Sequence, residues 1–269
     1  MTVTPPAPYG PPPVPPARRA SVLPWVLVAL LLVVFLVLGA LLLLRDGGGG
    51  ERRGFATPEE AIEFATERLA DGDADGAVGA WASEEQAAGL DLAGYLERLQ
   101  TYPAWEPALV PGDDDFFREI AETARAGGAA DQYRRLVVSL LLPEVDLTQG
   151  STLGDDGPSA QEIAEALDSS RLESLRAQRI ERVEGPERLE EQYAESARLV
   201  GAEERREYLV LYEWDGDTYL GAVGLLRYGD EWRIDTLSSP IANVGVAALE
   251  PATDADLDEA LEEIADRDG

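Results

Sequence analysis

The 269-residue chain contains no cysteine and no histidine, and all 22 of its basic residues are arginine, so lysine is absent as well. Without cysteine there is no disulfide framework, thiolate nucleophile, cysteine zinc site or lipid-modified cysteine anchor. Without histidine the usual general base near neutral pH is missing, and with it His-containing triads and most transition-metal sites. Positive charge is scarce too: 52 acids give a net charge of −30. Residues 1–45 hold Arg18, Arg19 and Arg45 and no acid, so the total divides into +3 there and −33 beyond. A segment that acidic repels phosphate backbones and anionic headgroups, which excludes nucleic-acid binding as an expectation. Absent lysine beside abundant Ala, Gly and Arg fits GC-rich codon usage, so the arginines are not read as selected for bidentate chemistry.

What is present begins with proline. Residues 1–17, MTVTPPAPYGPPPVPPA, are nearly half proline and cannot build a hydrogen-bonded ladder; residues 1–21 are read as an extended, disordered tail. Residues 22–44, VLPWVLVALLLVVFLVLGALLLL, are apolar and uncharged. As a helix they are roughly 34 Å long at ~1.5 Å per residue, enough for a ~30 Å hydrocarbon core. A cleaved signal peptide fits badly, because the apolar core is too long and LLLLRDGGGG lacks a small-x-small cleavage site. One uncleaved transmembrane anchor is therefore expected. Arginines are nearly balanced across it, so orientation follows from the basic pair before the span and the large domain after it: N-terminus inside, domain extracytoplasmic. Residues 45–54 supply a Gly-rich linker.

Residues 55–250 are read as one acidic α+β domain, helix-rich at first and ending in an antiparallel meander. Thr57-Pro58-Glu59-Glu60 is a capped helix start, with Ile62, Ala65 and Leu69 following at helical spacing. Short helices are expected at 74–82, after Ser83 and after Asp91. Residues 101–112 and 150–158 are read as loops, and further helices are placed at 114–126, 130–142 and 159–168. A strand is expected near 176–183. Segments 207–214, 218–228 and 231–238 are strand-rich and separated by Asp215-Gly216 and Gly229-Asp230, which suit two-residue type I′ and II′ turns. Two-residue turns would set Tyr212 opposite Tyr219, Val210 opposite Gly221, Leu225 opposite Ile234 and Arg227 opposite Trp232. One face then carries Tyr208, Val210, Tyr212, Trp214, Tyr219, Val223, Leu225, Trp232 and Ile234; the other carries Leu209, Leu211, Leu220, Ala222 and Leu226. Both faces are apolar, so both are expected to be covered. Residues 251–269 are set apart as an acidic tail with a short amphipathic helix striped by Leu257, Ala260, Leu261 and Ile264; a frayed terminus is the default expectation, with docking on the domain or recruitment of a basic partner as the alternatives.

The helix TPEEAIEFATERLADGD, the short helix after it and the terminal meander ending in YGDEWRIDTLSSP together resemble the nuclear-transport-factor-2-like superfamily. They resemble especially its membrane-anchored, extracytoplasmic actinobacterial members. The resemblance covers residues 57–82 and 175–240, with 100–170 standing as an insertion. It implies a cone of helices packed into a curved antiparallel sheet, often with a pocket between them. Enzymes of that superfamily tend to use Asp/His or Asp/Tyr pairs in the cone, and the His member cannot exist in this chain.

Asp71-Gly72-Asp73-Ala74-Asp75-Gly76 matches the first half of a calcium loop, yet the twelfth position is Ala82 instead of a bidentate Glu. It is read as an interhelical turn capped by Asp73, so no metal is expected, and no cofactor motif is present. Asp113-Asp114-Asp115 reads as another helix cap. The candidate ligand surface is the aromatic face with its edge: Tyr208, Tyr212, Trp214, Tyr219, Arg227 and Trp232. The expected function is a binding module for a small ligand or an envelope partner protein, held to the membrane by the anchor. The alternatives are an assembly role for the anchor and Pro-rich tail, and, third, an enzyme using carboxylate and tyrosine chemistry.

Overall fold

The computed structural model describes residues 53–143, 145, 158–247 and 249–266. The Pro-rich tail, the expected span at 22–44, most of the linker and nearly all of the loop at 150–158 lie outside the described residues. Among the described residues no helix is long and apolar enough to cross a membrane.

The domain is α+β. Helix α1 (Pro58–Ala70) starts as its sequence dictates, with Thr57 Oγ1 accepting the Glu60 amide at 3.2 Å. The Glu60 carboxylate reaches back one residue further than a standard capping box and accepts from the Ala56 N–H at 3.1 Å. The acidic turn 71–76 is an interhelical turn: Asp73 caps α2 (Ala74–Val78) by accepting from the Gly76 amide. Helix α2 is shorter than expected because residues 80–82 leave it to pair with the sheet. Helices α3 (Ser83–Gly89) and α4 (Leu92–Leu99) follow, the second capped by Asp91.

One expectation is corrected in α5. Instead of two helices broken near Gly127-Gly128, a single 27-residue helix runs Asp115–Leu141, capped by Asp114. Its buried stripe, Ala129, Tyr133, Leu136 and Leu140, starts just after the glycine pair, and Ala121 is buried before it. Two helical glycines cost only about 1 kcal/mol each relative to alanine, less than that packing returns. Helix α6 (Ala160–Ala166) opens with the expected Ser159/Glu162 capping box.

The sheet is antiparallel in the order β1 (Arg176–Val183), β2 (Glu204–Trp214), β3 (Asp217–Tyr228) and β4 (Glu231–Thr236), with the short β5 (Glu250–Pro251) paired to the start of β3. All four cross-strand pairs expected from the turns are present. The chemistry of the turns explains why: Asp215 and Gly216 both have positive φ, and Gly229 has φ +60°, the geometries of two-residue hairpins. The outer edge of β4 is closed by backbone bonds to Phe55 and to Ala80 and Ala82.

Both faces of the sheet are covered by the chain itself. The aromatic face packs with α1, α2 and α5 in the main core, where Ile62, Tyr133, Leu136 and Leu140 join Tyr208, Val210 and Leu225. The opposite face, Leu209, Leu211 and Ala222, is covered by α7 (Glu187–Arg198) and α8 (Asp254–Asp266). Helix α7 has no counterpart among the sequence expectations, although Leu189, Tyr193 and Ala197 recur every fourth residue. The segment set apart as a tail is likewise corrected. Leu257 and Ile264 are buried against Leu209 and Leu211, so α8 belongs to the domain's second core.

Candidate functional site: a cavity between the helices and the sheet edge

The six residues singled out from the sequence are brought together, but mainly as core. Tyr208, Tyr212, Trp214 and Trp232 are all buried in the main cluster, and Tyr219 packs against it. Trp214 donates its indole N–H to the Arg171 carbonyl at 2.7 Å. Burial alone pushes the Tyr212 phenol well above its ordinary pKa. Arg227 is held by Glu203 at 2.9 Å and Glu204 at 3.1 Å, and it lies 6.0 Å from the Trp232 ring centroid. Arg206, at 4.6 Å, is the closer cation over that indole. The deeply buried carboxylate, Glu207, is 3% exposed and stands on the opposite face of β2 from Tyr212. No buried carboxylate thus pairs with Tyr212; the phenol that meets Glu207 is Tyr193, on α7.

The open space lies elsewhere. A cavity of about 610 Å³ is bounded by α3, α4, α5, the loop 101–112, the end of α7 and the edge of the sheet, and none of the six residues lines it. Trp81, Leu99, Leu109, Val200 and Leu226 give it apolar walls. Its polar groups are Gln86, Arg98, Glu106, Arg125, Gln132, Arg205 and Asp235, together with the hydroxyls of Ser83, Tyr95 and Ser196. The lining is more polar than apolar, and a space of this volume with converging polar groups suits a polar small molecule.

A bulge sets the cavity's polar floor. Gly224 pairs with Thr236 and Leu225 with Ile234, which leaves Asp235 as the extra residue of β4. Its carboxylate accepts from Gln86 Nε2 at 2.7 Å and pairs with Arg205 Nη1 at 3.7 Å. The Gln86 amide is fixed end to end, because its Oε1 accepts from Arg125 Nη1. Next to this contact, Arg233 Nη2 bridges to Glu85 at 3.0 Å, so two bonds clamp α3 to β4. Arg205 stacks 4.7 Å from the Tyr193 ring and donates to Glu207 at 3.1 Å; Ser239 Oγ donates to the other Glu207 oxygen at 2.6 Å. Burial pushes the Glu207 carboxyl above its usual range, against the pull of Ser239 and Arg205.

Arg125 is differently placed. It bonds to a neutral amide oxygen, and its buried Nε has no hydrogen-bond partner among the described residues. Burial lowers its guanidinium pKa from the ordinary value, with Asp235 opposing the shift. At the cavity mouth the exposed Arg98 likewise donates to a neutral group, Ser196 Oγ, at 2.8 Å. Gln132 on α5 accepts from the Leu237 amide at 2.8 Å, holding the helix against the strand end. Among the described residues no cluster of acidic side chains could hold a metal ion.

These groups had no local signature. Gln86 and Asp235 are 149 residues apart, and Arg125 is 39 from Gln86. The one sequence cue is Arg125-Ala126-Gly127-Gly128, where a helix carries two side-chain-free positions beside a cation, with Gly128 on the cavity wall.

No family model matches the chain, and no curated protein matches it. Among solved structures it is similar to a cystatin-like protein from Ruminococcus gnavus ATCC 29149, with a TM-score of 0.48 and 16% sequence identity. That similarity covers 82% of this chain and 46% of the other, so this chain spans less than half of that protein's length.

Proposed function

We propose that this protein is a membrane-tethered, extracytoplasmic domain that binds a small ligand in the cavity between α3, α4, α5 and the edge of β4. The observation that carries the reading is the cavity itself: about 610 Å³, lined by polar and apolar side chains together, with the Gln86–Arg125–Asp235–Arg205 cluster on its floor. The tether and its orientation come from the uncharged apolar run at 22–44 and the basic pair before it. A capped helix, a short second helix and a terminal antiparallel meander support a place among cone-like, nuclear-transport-factor-2-like folds. The role is to hold a ligand: Tyr212 is a core residue with no buried carboxylate on its face, and Tyr228, raised by burial beside Asp235 and Glu85, has its hydroxyl tied to the Val200 carbonyl at 3.2 Å.

The test uses the full chain in lipid nanodiscs and ligand-observed saturation-transfer NMR with a set of small carboxylates, amides and alcohols, empty nanodiscs serving as the blank. Gly128 lies on the cavity wall in open space, and a Cβ there meets no atom within 4 Å. Gly128→Trp should therefore fold normally, fill the cavity and abolish the hits. Hits that survive Gly128→Trp unchanged would place binding outside the cavity and overturn the reading.

A further inference from the structure

We infer that the ligand of this cavity is an amphiphilic carboxylate: its anionic head meets Arg125, and its apolar chain runs past Ala124 into a second groove on the outer side of α5. This rests on the cavity being a binding site and adds the chemistry of what enters it.

The head follows from the charge pattern. Acids outnumber arginines 52 to 22, so a carboxylate partner is abundant for nearly any arginine in this chain. Arg118, Arg134, Arg176, Arg205, Arg227 and Arg233 all have one, whereas Arg171, at the surface, bonds to the Ala166 carbonyl. Arg125 and Arg98, on the cavity wall, instead bond to the neutral oxygens of Gln86 and Ser196. Arg125 keeps unused donors in a partly buried wall, where a guanidinium gains most from a charge-assisted bond. Of the cavity's two carboxylates, Asp235 is bonded by Gln86 and Arg205, and Glu106 gives one oxygen to the Ala108 amide at 3.3 Å, against the three guanidiniums of Arg98, Arg125 and Arg205. The spare capacity is cationic, so the incoming group is an anion.

The chain follows from the surface next to it. A groove of about 500 Å³ is formed by Pro107, Phe116, Glu119, Ile120, Thr123 and Ala124. Ala124 lines both the groove and the cavity; in the loop, Glu106 and Ala108 line the cavity while Pro107 lines the groove. The two spaces therefore lie on either side of one turn of α5 and one loop, with Ala124 common to both. Phe116 and Ile120 are exposed there, and the same loop carries Trp105, which is 83% exposed. Apolar side chains concentrated beside a charged cavity match one molecule with a polar head and a hydrocarbon body.

The experiment compares octanoate, its neutral isostere octanamide, and acetate, binding to the full chain in nanodiscs by ligand-observed NMR titration. Each methylene buried tightens binding about fourfold, so octanoate should exceed acetate by tenfold or more. The charged head should make octanoate about tenfold tighter than octanamide. Arg125→Gln should bring octanoate down to octanamide while leaving octanamide within twofold, which also shows that the variant folds. Phe116→Ser with Ile120→Ser, both at exposed positions, should weaken octanoate several-fold and leave acetate unchanged. Equal affinity for octanoate and octanamide, both displaced by Gly128→Trp, would overturn the anionic head while the cavity stands. Equal affinity for acetate and octanoate would overturn the chain. No binding of any of the three, or binding indifferent to Gly128→Trp, would remove both this inference and the cavity reading.

Discussion

Replacing Gly127 and Gly128 by alanine tests the long helix that forms one wall of the cavity. Both glycines are exposed in the interior of α5, neither has a positive φ, and an added Cβ meets nothing within 4 Å at either position. No steric term opposes the change. What remains is the helical penalty of glycine, about 0.5–1 kcal/mol per residue relative to alanine, largely through the freedom the unfolded chain loses. The double variant should therefore be more stable by about 1–2 kcal/mol. For a domain of this size 1 kcal/mol moves Tm by about 2–4 °C, so the midpoint should rise by about 2–8 °C. Far-UV circular dichroism on the full chain in nanodiscs reads both helix content and midpoint. If α5 were broken at these residues, alanine would be forced into a turn, and Tm would stay level or fall; that result would refute the continuous helix.

Three further outcomes follow from the packing and the charges. Leu257→Ala empties a fully buried site between α8 and the sheet and should cost about 2–5 kcal/mol in a denaturant titration, whereas a frayed tail would lose less than about 0.5. Glu207 takes up its proton at a higher pH in the folded protein than in the unfolded chain, because burial raises its pKa. Its contribution to stability therefore rises as pH falls through that folded value towards the ordinary carboxylate range. Glu207→Gln should remove that segment of the stability–pH curve, and an unchanged curve would contradict the assignment. The net charge of −30 repels an incoming carboxylate at long range, so the association rate for octanoate should increase with added salt; a decrease would show that attraction by the cavity arginines dominates the approach.

The meander was legible because its turns carry their own chemistry. Asp215-Gly216 and Gly229-Asp230 each determine a two-residue connection, and once those are set the side chains of β2, β3 and β4 as far as Ile234, before the bulge, are assigned to a face. Thr57, Asp73, Asp91, Asp114 and Ser159 were legible as caps for a similar reason: each acts within three or four residues of itself. Helix α7 was not legible because Leu189, Tyr193 and Ala197 form a thin stripe among six charged residues. The glycine pair in α5 misled because helix propensity is a local quantity, while the packing of Tyr133, Leu136 and Leu140 that overrides it comes from distant segments. The cavity was the least legible feature. Its floor depends on a one-residue bulge at Asp235 and on bonds spanning 39 and 149 residues, and neither leaves a spacing in the sequence. The aromatic residues that drew attention are large and apolar for the ordinary reason that they fill a core.

The most direct test of the central claim is photo-crosslinking with a diazirine-bearing octanoate on the full chain in nanodiscs, followed by peptide mapping of the labelled residues. Label on the loop 101–112 and on α5 near Ala124, competed by octanoate and lost in Gly128→Trp, is the result expected. Label on the sheet at Tyr208, Tyr212 or Trp232, or label that Gly128→Trp leaves in place, would contradict the account.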